Sequence, residues 1–289
     1  MGVVQTFRPR SLDEATKLLS QYQGEISICA GGTDLFVMMR KGKTTPRYLL
    51  DLSRLPLDYC EEESDGFRIG ANKTLTALQT SCLSGRAPYR ALLQAANHVG
   101  SLQIRNMATV AGNICTGISS ADVIAPMIAL DAELCVAGVN GRRRIPAAEF
   151  VVGNRRLALA PEELVYEVFL PQQSAETRSY FRKVGTRKEL FISVVNLAIV
   201  IDQDVSGLVR KCRLAMGVMA PKTLRLHAAE QELEGKSLTT KTIEASIRAM
   251  KTEVSPRSSH HGSREYRLLV AENLLRDYLT AERKRGTAK

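Results

Sequence analysis

Two adjacent glycines follow an apolar run near the start of the chain. Ile26–Cys29 predicts a strand, and Ala30-Gly31-Gly32-Thr33-Asp34-Leu35 comes directly after it. Because glycine lacks a Cβ, backbone N–H groups in such a turn can approach a diphosphate closely and converge on its oxygens. An ordinary strand-to-helix turn gives the same pattern. The segment matches neither GxGxxG nor GxxxxGKS/T, so it favours neither a nicotinamide-type Rossmann site nor an ATPase.

A second segment combines small, hydroxyl and amide side chains over residues 101–122 (SLQIRNMATVAGNICTGISSAD). Its glycines predict irregular chain between two helices. Such a chain can wrap closely around a polar ligand, and Asp122 can accept hydrogen bonds from ribose hydroxyls. The alternative is a surface loop with self-bonded turns. Ile104, Met107, Val110 and Ile114 instead indicate that the segment is pinned to a core.

Three segments together resemble a known family. They are AGGTDL at 30–35, QIRNMATVAGNICTGISSAD at 103–122 and VSPRSSHHGSREYRLLV at 254–270. The chain is similar over essentially its whole length to the FAD-binding (medium) subunits of the xanthine dehydrogenase and aerobic carbon monoxide dehydrogenase group of molybdenum hydroxylases. The joint occurrence of the first two segments is specific, whereas either alone is weak.

The resemblance implies an α+β fold in three parts. An FAD-binding domain of the vanillyl-alcohol-oxidase-like (PCMH) type would comprise two α/β subdomains, at 1–58 and 59–172. A smaller carboxy-terminal α+β domain, like that of carbon monoxide dehydrogenase flavoproteins, would occupy 173–289. FAD would extend between the two subdomains.

The resemblance also implies which residues contact the cofactor. Backbone amides of residues 30–34 would surround the pyrophosphate, Asp122 would lie towards the adenosine side, and Lys183 would lie near the flavin, where a cation stabilises the negative charge of the reduced ring. A solvated strand lysine is the alternative for Lys183. The expected cofactor-binding set is Cys29, Ala30, Gly31, Gly32, Thr33, Asp34, Leu35, Ala108, Thr109, Gly112, Asn113, Thr116, Ser120, Ala121, Asp122 and Lys183.

By the same resemblance, the chain is an oxidoreductase subunit that transfers electrons. A molybdenum-containing large subunit would hydroxylate the substrate, with purines as the first expectation, and a [2Fe-2S] small subunit would deliver electrons to FAD. NAD⁺ or a protein would accept them. The chain itself would contribute no catalytic side chain. Two alternatives stay open: a self-contained FAD-dependent oxidoreductase of the same fold, and a basic binding module without cofactor.

Two departures from the family pattern have structural consequences. Ala111 stands where relatives often have glycine, and a positive φ there would cost roughly 1–2 kcal/mol, so we expect a negative φ. The cysteines are widely spread, without a CxxC pair, which favours reduced thiols over a zinc site, an iron–sulfur cluster or a disulfide scaffold. FAD is therefore the only redox cofactor expected in this chain, with no metal. Nor do the four histidines suggest a catalytic triad.

Composition limits the remaining classes. The net charge of +10 fits an acidic partner, a nucleic acid or a solvated surface, but 5% aromatic residues and no nucleic-acid motif argue against nucleic-acid binding. Neither a membrane span nor a signal peptide is visible, so we expect a cytoplasmic protein.

Several elements must position these segments. Ser11 predicts the start of a helix reaching about Tyr22, and Thr74 the start of another reaching about Cys82. Asn140-Gly141 predicts a type I′ hairpin between 132–139 and 142–147. Further expected elements are strands at 48–52, 67–71, 164–170, 193–202 and 208–218, helices at 35–40, 89–99 and 263–279, and a frayed tail at 283–289.

Overall fold

Three β-sheets follow one another along the chain. The computed structural model describes residues 4–187 and 191–287. Within them, the sheets have three, five and four strands, and a separate two-stranded ribbon lies between residues 151 and 157.

The first sheet is parallel and places the paired glycines at its edge. Its strands are β1 (Gln5–Phe7), β2 (Ile26–Cys29) and β3 (Tyr48–Asp51), in the order β1-β3-β2, with helices α1 (Leu12–Gln21) and α2 (Leu35–Arg40) between them. Helix α1 begins at Ser11, whose Oγ accepts the Glu14 N–H at 3.1 Å, and buries Ala15 and Leu19 four residues apart. The carboxyl end of β2 leads straight into the glycine turn.

The second sheet is antiparallel, in the order β4-β5-β10-β6-β7. The strands of this part are β4 (Cys60–Glu63), β5 (Gly66–Gly70), β6 (Glu133–Gly138), β7 (Gly141–Pro146), β8 (Val151–Gly153), β9 (Arg156–Leu157) and β10 (Leu164–Pro171). Its helices are α3 (Leu75–Leu78), α4 (Arg90–Asn97), α5 (Leu102–Met107), α6 (Val110–Cys115), α7 (Ile124–Ala129) and α8 (Ala147–Phe150).

The third sheet is antiparallel in sequence order. Its strands are β11 (Arg178–Val184), β12 (Val195–Gln203), β13 (Val209–Gly217) and β14 (Leu224–Arg225), followed by helices α9 (His227–Gln231), α10 (Thr240–Glu253) and α11 (Arg264–Thr287). Strand β12 is almost wholly buried because α11 contacts it in the third part and α7 contacts it from the second. This packing explains its nearly continuous apolar sequence.

Two hydrophobic cores hold the molecule together. One joins the first two sheets, from Leu19 and Leu50 to Phe67 and Leu92, and the other lies within the third part. Asp131 connects the second part to the third, because its carboxylate pairs with Arg213 and Arg225, each at 2.6 Å.

Outside residues 101–122, three predicted features differ in the structure. The helix begun by Thr74 ends at Leu78, because Ser81 Oγ donates to the Leu78 carbonyl and competes with helical bonding. The hairpin forms, but positive φ occurs at Gly141 and not at Asn140, so the turn is not type I′.

The expected carboxy-terminal tail is also more ordered. Through Thr287 it continues α11, where the fully buried Glu282 pairs with Arg285 at 2.6 Å and with Arg178 at 3.6 Å. Residues 288 and 289 lie outside the described residues.

Candidate cofactor site

A cavity of about 660 Å³ lies where the glycine turn meets helices α5 and α6. Its volume falls within the range of cofactor sites. Every residue of the expected cofactor-binding set lines it: Cys29, Ala30, Gly31, Gly32, Thr33, Asp34, Leu35, Ala108, Thr109, Gly112, Asn113, Thr116, Ser120, Ala121, Asp122 and Lys183. The fold therefore brings together segments that are far apart in sequence.

The two glycines of the turn meet different requirements. A Cβ on Gly31 would lie 1.8 Å from the carbonyl oxygen of Met107, so the turn passes directly against the backbone at the end of α5. Gly32 has φ +70°, a left-handed conformation that side chains rarely adopt. Gly31 thus provides close approach between the two cavity-lining segments, and Gly32 provides the change of chain direction.

The segment at 101–122 is more regular than its composition predicts. Ser101 and Thr109 start the six-residue helices α5 and α6, accepting from the N–H groups of Ile104 at 3.4 Å and Gly112 at 3.0 Å. The prediction of irregular chain was therefore wrong, because capping and packing offset weak helix propensity. Ala111 lies within α6 at negative φ, as expected.

The polar side chains of this segment also fix its own backbone. Asn113 Oδ1 accepts the Val123 N–H at 3.2 Å, and Thr116 Oγ1 donates to the Asn113 carbonyl at 2.8 Å. These bonds hold the chain between α6 and α7, which carries Asp122. Arg105 donates to the Val99 carbonyl at 3.2 Å, so it supports the chain beside the cavity.

A buried ion pair lines the cavity beside α6. Lys183 Nζ donates to Asp122 Oδ2 at 2.6 Å, and the two side chains are 3% and 5% exposed. Ser193 Oγ donates to Asp122 Oδ1 at 2.9 Å, and Lys183 also donates to the His98 carbonyl at 3.2 Å. The alternative of a solvated strand lysine was therefore wrong.

This pair changes the expected arrangement of the site. The resemblance separates Asp122, towards adenosine, from Lys183, near the flavin, whereas the structure joins them in one hydrogen-bonded group. A ligand that reaches one of them is next to the other. Both carboxylate oxygens already accept a hydrogen bond, and each retains a further lone pair.

Burial controls protonation around the cavity. It raises the pKa of the Asp122 carboxyl, and the adjacent Lys183 ammonium opposes that effect. It also raises the pKa of the Cys115 thiol to about 12, and that of Cys29, to which the nearby Asp51 charge adds. These thiols are protonated at neutral pH, so neither is poised to act as a nucleophile.

Arg155 lines the cavity but was not predicted. It lies between β8 and β9 with φ +54°, its N–H donates to the Gly117 carbonyl at 2.7 Å, and its guanidinium pairs with Asp34 at 3.0 Å. This ion pair links the glycine turn to the second part of the protein. Sequence offered only the Gly153-Asn154 turn pattern as a signal, which does not indicate a binding residue.

Further lining residues were missed as well. Asn72 Nδ2 donates to the Leu52 carbonyl at 2.7 Å, while its Oδ1 is buried without a hydrogen-bond partner among the described residues. Phe191 and Ile192 line the cavity beside Lys183, whose Nζ lies 4.5 Å from the Phe191 ring centroid. No spacing pattern in the sequence connects these positions.

The arrangement fits a large nucleotide cofactor. The cavity offers the backbone of the glycine turn, which Gly31 holds against Met107, a buried acceptor at Asn72 Oδ1 that a ligand N–H or O–H can satisfy, and a buried cation at Lys183. Among residues 4–187 and 191–287, no cluster of three or more His, Cys, Asp or Glu side chains could hold a metal ion. No helix in those ranges is long and apolar enough to cross a membrane.

Comparison with family models covers most of the chain. Residues 2–173 match the FAD binding domain in molybdopterin dehydrogenase, and residues 179–281 match the CO dehydrogenase flavoprotein C-terminal domain. Both matches confirm the resemblance drawn from the three sequence segments.

Individual relatives agree with these models. The chain is 34% identical to the nicotinate dehydrogenase FAD-subunit of Eubacterium barkeri, over 83% of each chain. It is 31% identical to the xanthine dehydrogenase FAD-binding subunit of Escherichia coli O157:H7, over 94% of each. Its fold is similar to a chain of carbon monoxide dehydrogenase from Hydrogenophaga pseudoflava, with a TM-score of 0.90, 30% identity and 95% of each chain covered.

Proposed function

The chain belongs to the family of FAD-binding subunits of molybdopterin dehydrogenases, and we propose that it carries electrons from iron–sulfur clusters in a partner subunit through FAD to NAD⁺ or another acceptor. It is an oxidoreductase subunit whose cofactor is FAD. The observation that carries the proposal is the single cavity joining the glycine turn, helices α5 and α6 and the Asp122–Lys183 pair.

Within this cavity, the backbone amides of residues 30–34 would hold the pyrophosphate of FAD. Gly31 supports this role because its backbone already packs against Met107, leaving the turn no room to move away. The capped helices α5 and α6 and their flanking residues form an adjoining wall through Ala108, Thr109, Gly112, Asn113 and Thr116. Arg155, paired with Asp34, connects the turn to the segment between β8 and β9, which also lines the cavity.

Lys183 has an electrostatic role. When bound, FAD supplies the conversion between one-electron supply and two-electron delivery. The chain's contribution is to keep a cation beside the cavity, held by Asp122 and the His98 carbonyl, and partly covered by Phe191. Since the cation and the carboxylate neutralise each other, the protein avoids burying an isolated charge.

The proposed partners are a molybdenum-cofactor large subunit and a [2Fe-2S] small subunit. Affinity purification of the tagged chain from its native cells tests this assignment. The expected product contains FAD, two companion polypeptides, molybdenum and iron. Flavin bands in the spectrum, metal analysis and mass spectrometry identify these components.

The acceptor and the hydroxylated substrate are tested on the same material. Xanthine and nicotinate are suitable trial substrates because relatives are named for them, and purines remain our first candidates. NADH formation, followed by its absorbance, reports hydride delivery. Reduction of a dye but not NAD⁺ would assign another acceptor.

Turnover of an organic substrate by the isolated chain would instead support a self-contained oxidoreductase, and failure to bind added FAD would overturn the proposal.

A further inference from the structure

Two thiols of the second part face each other outside the cofactor cavity. The sulfur atoms of Cys60 and Cys82 are 3.1 Å apart, although the residues are 22 positions apart in sequence. Cys60 begins the edge strand β4, and Cys82 lies in the turn after α3. Both are free thiols on half-buried residues, so the pair is not sealed within the hydrophobic core.

Their geometry is close to that of a covalent pair. A disulfide has a sulfur–sulfur distance of about 2.05 Å, so bond formation requires a movement of roughly 1 Å. Arg86 holds the turn in place, because its Nε donates to the Cys82 carbonyl at 2.9 Å and its guanidinium binds both carboxylate oxygens of Glu62. Glu62 lies on β4, so this ion pair already joins the two segments that a disulfide would connect.

The chemical roles of the two sulfurs differ. Burial, and then the hydrogen bond with Cys60, raise the pKa of the Cys82 thiol to about 12. The proton therefore stays on Cys82, whose Sγ donates to the Cys60 carbonyl at 3.3 Å, while either thiol can donate in the contact between the two sulfurs. Because Cys82 holds its proton, the proposed first step takes place at Cys60, at the start of the edge strand β4.

We propose that Cys60 and Cys82 form a site of reversible disulfide formation when the protein meets hydrogen peroxide. The Cys60 sulfur attacks one peroxide oxygen, the O–O bond breaks, and a sulfenic acid and water result. The Cys82 sulfur then attacks the Cys60 sulfur, forming the S–S bond, and its proton leaves with the hydroxyl group as a second water. Both thiols are oxidised and one peroxide is reduced, and a low-molecular-weight dithiol reverses the change.

The crosslink would lie next to helix α3, which contacts a wall of the cofactor cavity. Helix α3 precedes Cys82, and the N–H of its first residue, Leu75, donates to the Ala108 carbonyl at 2.9 Å. The Val110 N–H donates to the Lys73 carbonyl at 2.9 Å. Ala108 lines the cavity, and α3 supports it through the Leu75 hydrogen bond. A disulfide would link the turn after α3 to β4 and would resist separation of these two elements.

Peptide mapping of the full chain tests the site without reference to cofactor or partners. The protein is treated with hydrogen peroxide, free thiols are alkylated, and the digest is analysed by mass spectrometry. A crosslinked Cys60–Cys82 peptide that disappears after dithiothreitol is expected. Met107, whose side chain is exposed, serves as an internal measure of oxidant dose through its sulfoxide. Separate alkylation of both cysteines at a dose that oxidises Met107, or stable sulfinic acid on Cys60 beside free Cys82, would overturn the proposal.

Thermal unfolding gives a second readout. The oxidised protein should unfold roughly 5 °C higher than the reduced protein, because the crosslink restricts the unfolded chain. Cys60→Ser and Cys82→Ser should each abolish the crosslink and this difference. Cys135→Ala, in the same sheet but beside Glu167, should keep both. If a serine variant fails to fold, peptide mapping of the unmodified chain still decides the question.

Discussion

The carboxylate of Asp122 and the ammonium of Lys183 form a buried ion pair at 2.6 Å that joins the second and third parts of the chain. Asp122 follows α6, whereas Lys183 lies on β11, so the pair depends on the packing of two separate sheets. Ser193 completes the group from the chain leading into β12. The positions of these two buried charges beside the cavity therefore depend on the contact between the second and third parts.

Removing one partner should leave an uncompensated buried charge. We expect Lys183→Met to destabilise the flavin-free protein by about 3–5 kcal/mol, measured by urea unfolding. The double variant Lys183→Met with Asp122→Asn should recover part of that loss. Lys211→Met, which removes a half-exposed lysine 3.7 Å from Asp131, should cost at most about 1 kcal/mol. Equal effects of the two lysine substitutions would contradict a buried pair.

The glycine turn offers a graded test of the cofactor assignment. Gly31→Ala should weaken FAD binding by at least about tenfold, because its Cβ would overlap the Met107 carbonyl and force two backbone segments apart. Gly32→Ala should have a smaller effect, since its positive φ costs roughly 1–2 kcal/mol and the Phe36 ring that it meets can move.

Gly153→Ala is the matched control for this series. A Cβ there would lie 3.8 Å from the nearest atom, on the Arg156 side chain, so FAD binding should be unchanged. Fluorescence titration with FAD gives the dissociation constants. A Gly31→Ala protein that binds FAD as tightly as the unmodified chain would remove the main support for the pyrophosphate position.

Sequence predicted the parts of the fold that depend on local pattern. The apolar runs gave β2 and β12, and Ser11 marked the start of α1 within one residue. Helices α5 and α6 were missed because each is only six residues long, and Gly112 and Asn113 have weak helix propensity. Tertiary packing of residues such as Val110 and Ile114 decides their structure.

In the candidate site, too, the sequence predicted local features but not the contacts between distant residues. Its two glycine-containing segments were recognisable because their composition is unusual. The pairing of Lys183 with Asp122 was not, since the residues are 61 positions apart and no periodicity relates them. Strand β4 was missed because its three glutamates lie exposed on a sheet edge and show no apolar alternation.

Glu163 should make stability depend on pH in the acid range. Two hydrogen bonds from Arg143, at 2.7 and 2.6 Å, hold the pKa of Glu163 below its usual value, and the Ala160 N–H adds to the effect. The folded state therefore favours the ionised form. Its contribution, about 1 kcal/mol, is present above the unfolded pKa of about 4.3 and is lost as pH falls through the lower folded pKa.

Glu163→Gln should accordingly reduce urea stability at pH 7, and the difference from the unmodified chain should shrink towards pH 3, roughly one unit below the unfolded pKa. Glu162→Gln, which removes the same charge one residue earlier, serves as the control. A difference for Glu163→Gln that stays constant with pH would show that the ion pair with Arg143 is not its cause.

Arg155 and Asp34 should slow the release of FAD. Their ion pair at 3.0 Å bridges two walls of the cavity, but both side chains are more than one third exposed. Its contribution is therefore limited to about 0.2–1 kcal/mol, which corresponds to no more than about a fivefold change in rate. We expect Arg155→Gln to speed FAD dissociation by this factor, and added salt to reduce the difference because exposed charges are screened.

Arg156→Gln makes the same charge change one residue later, on the exposed ribbon strand β9, and should leave the rate unchanged. Stopped-flow fluorescence of FAD release distinguishes the two, and equal rates for both variants would mean that overall charge, and not the bridge to Asp34, governs release.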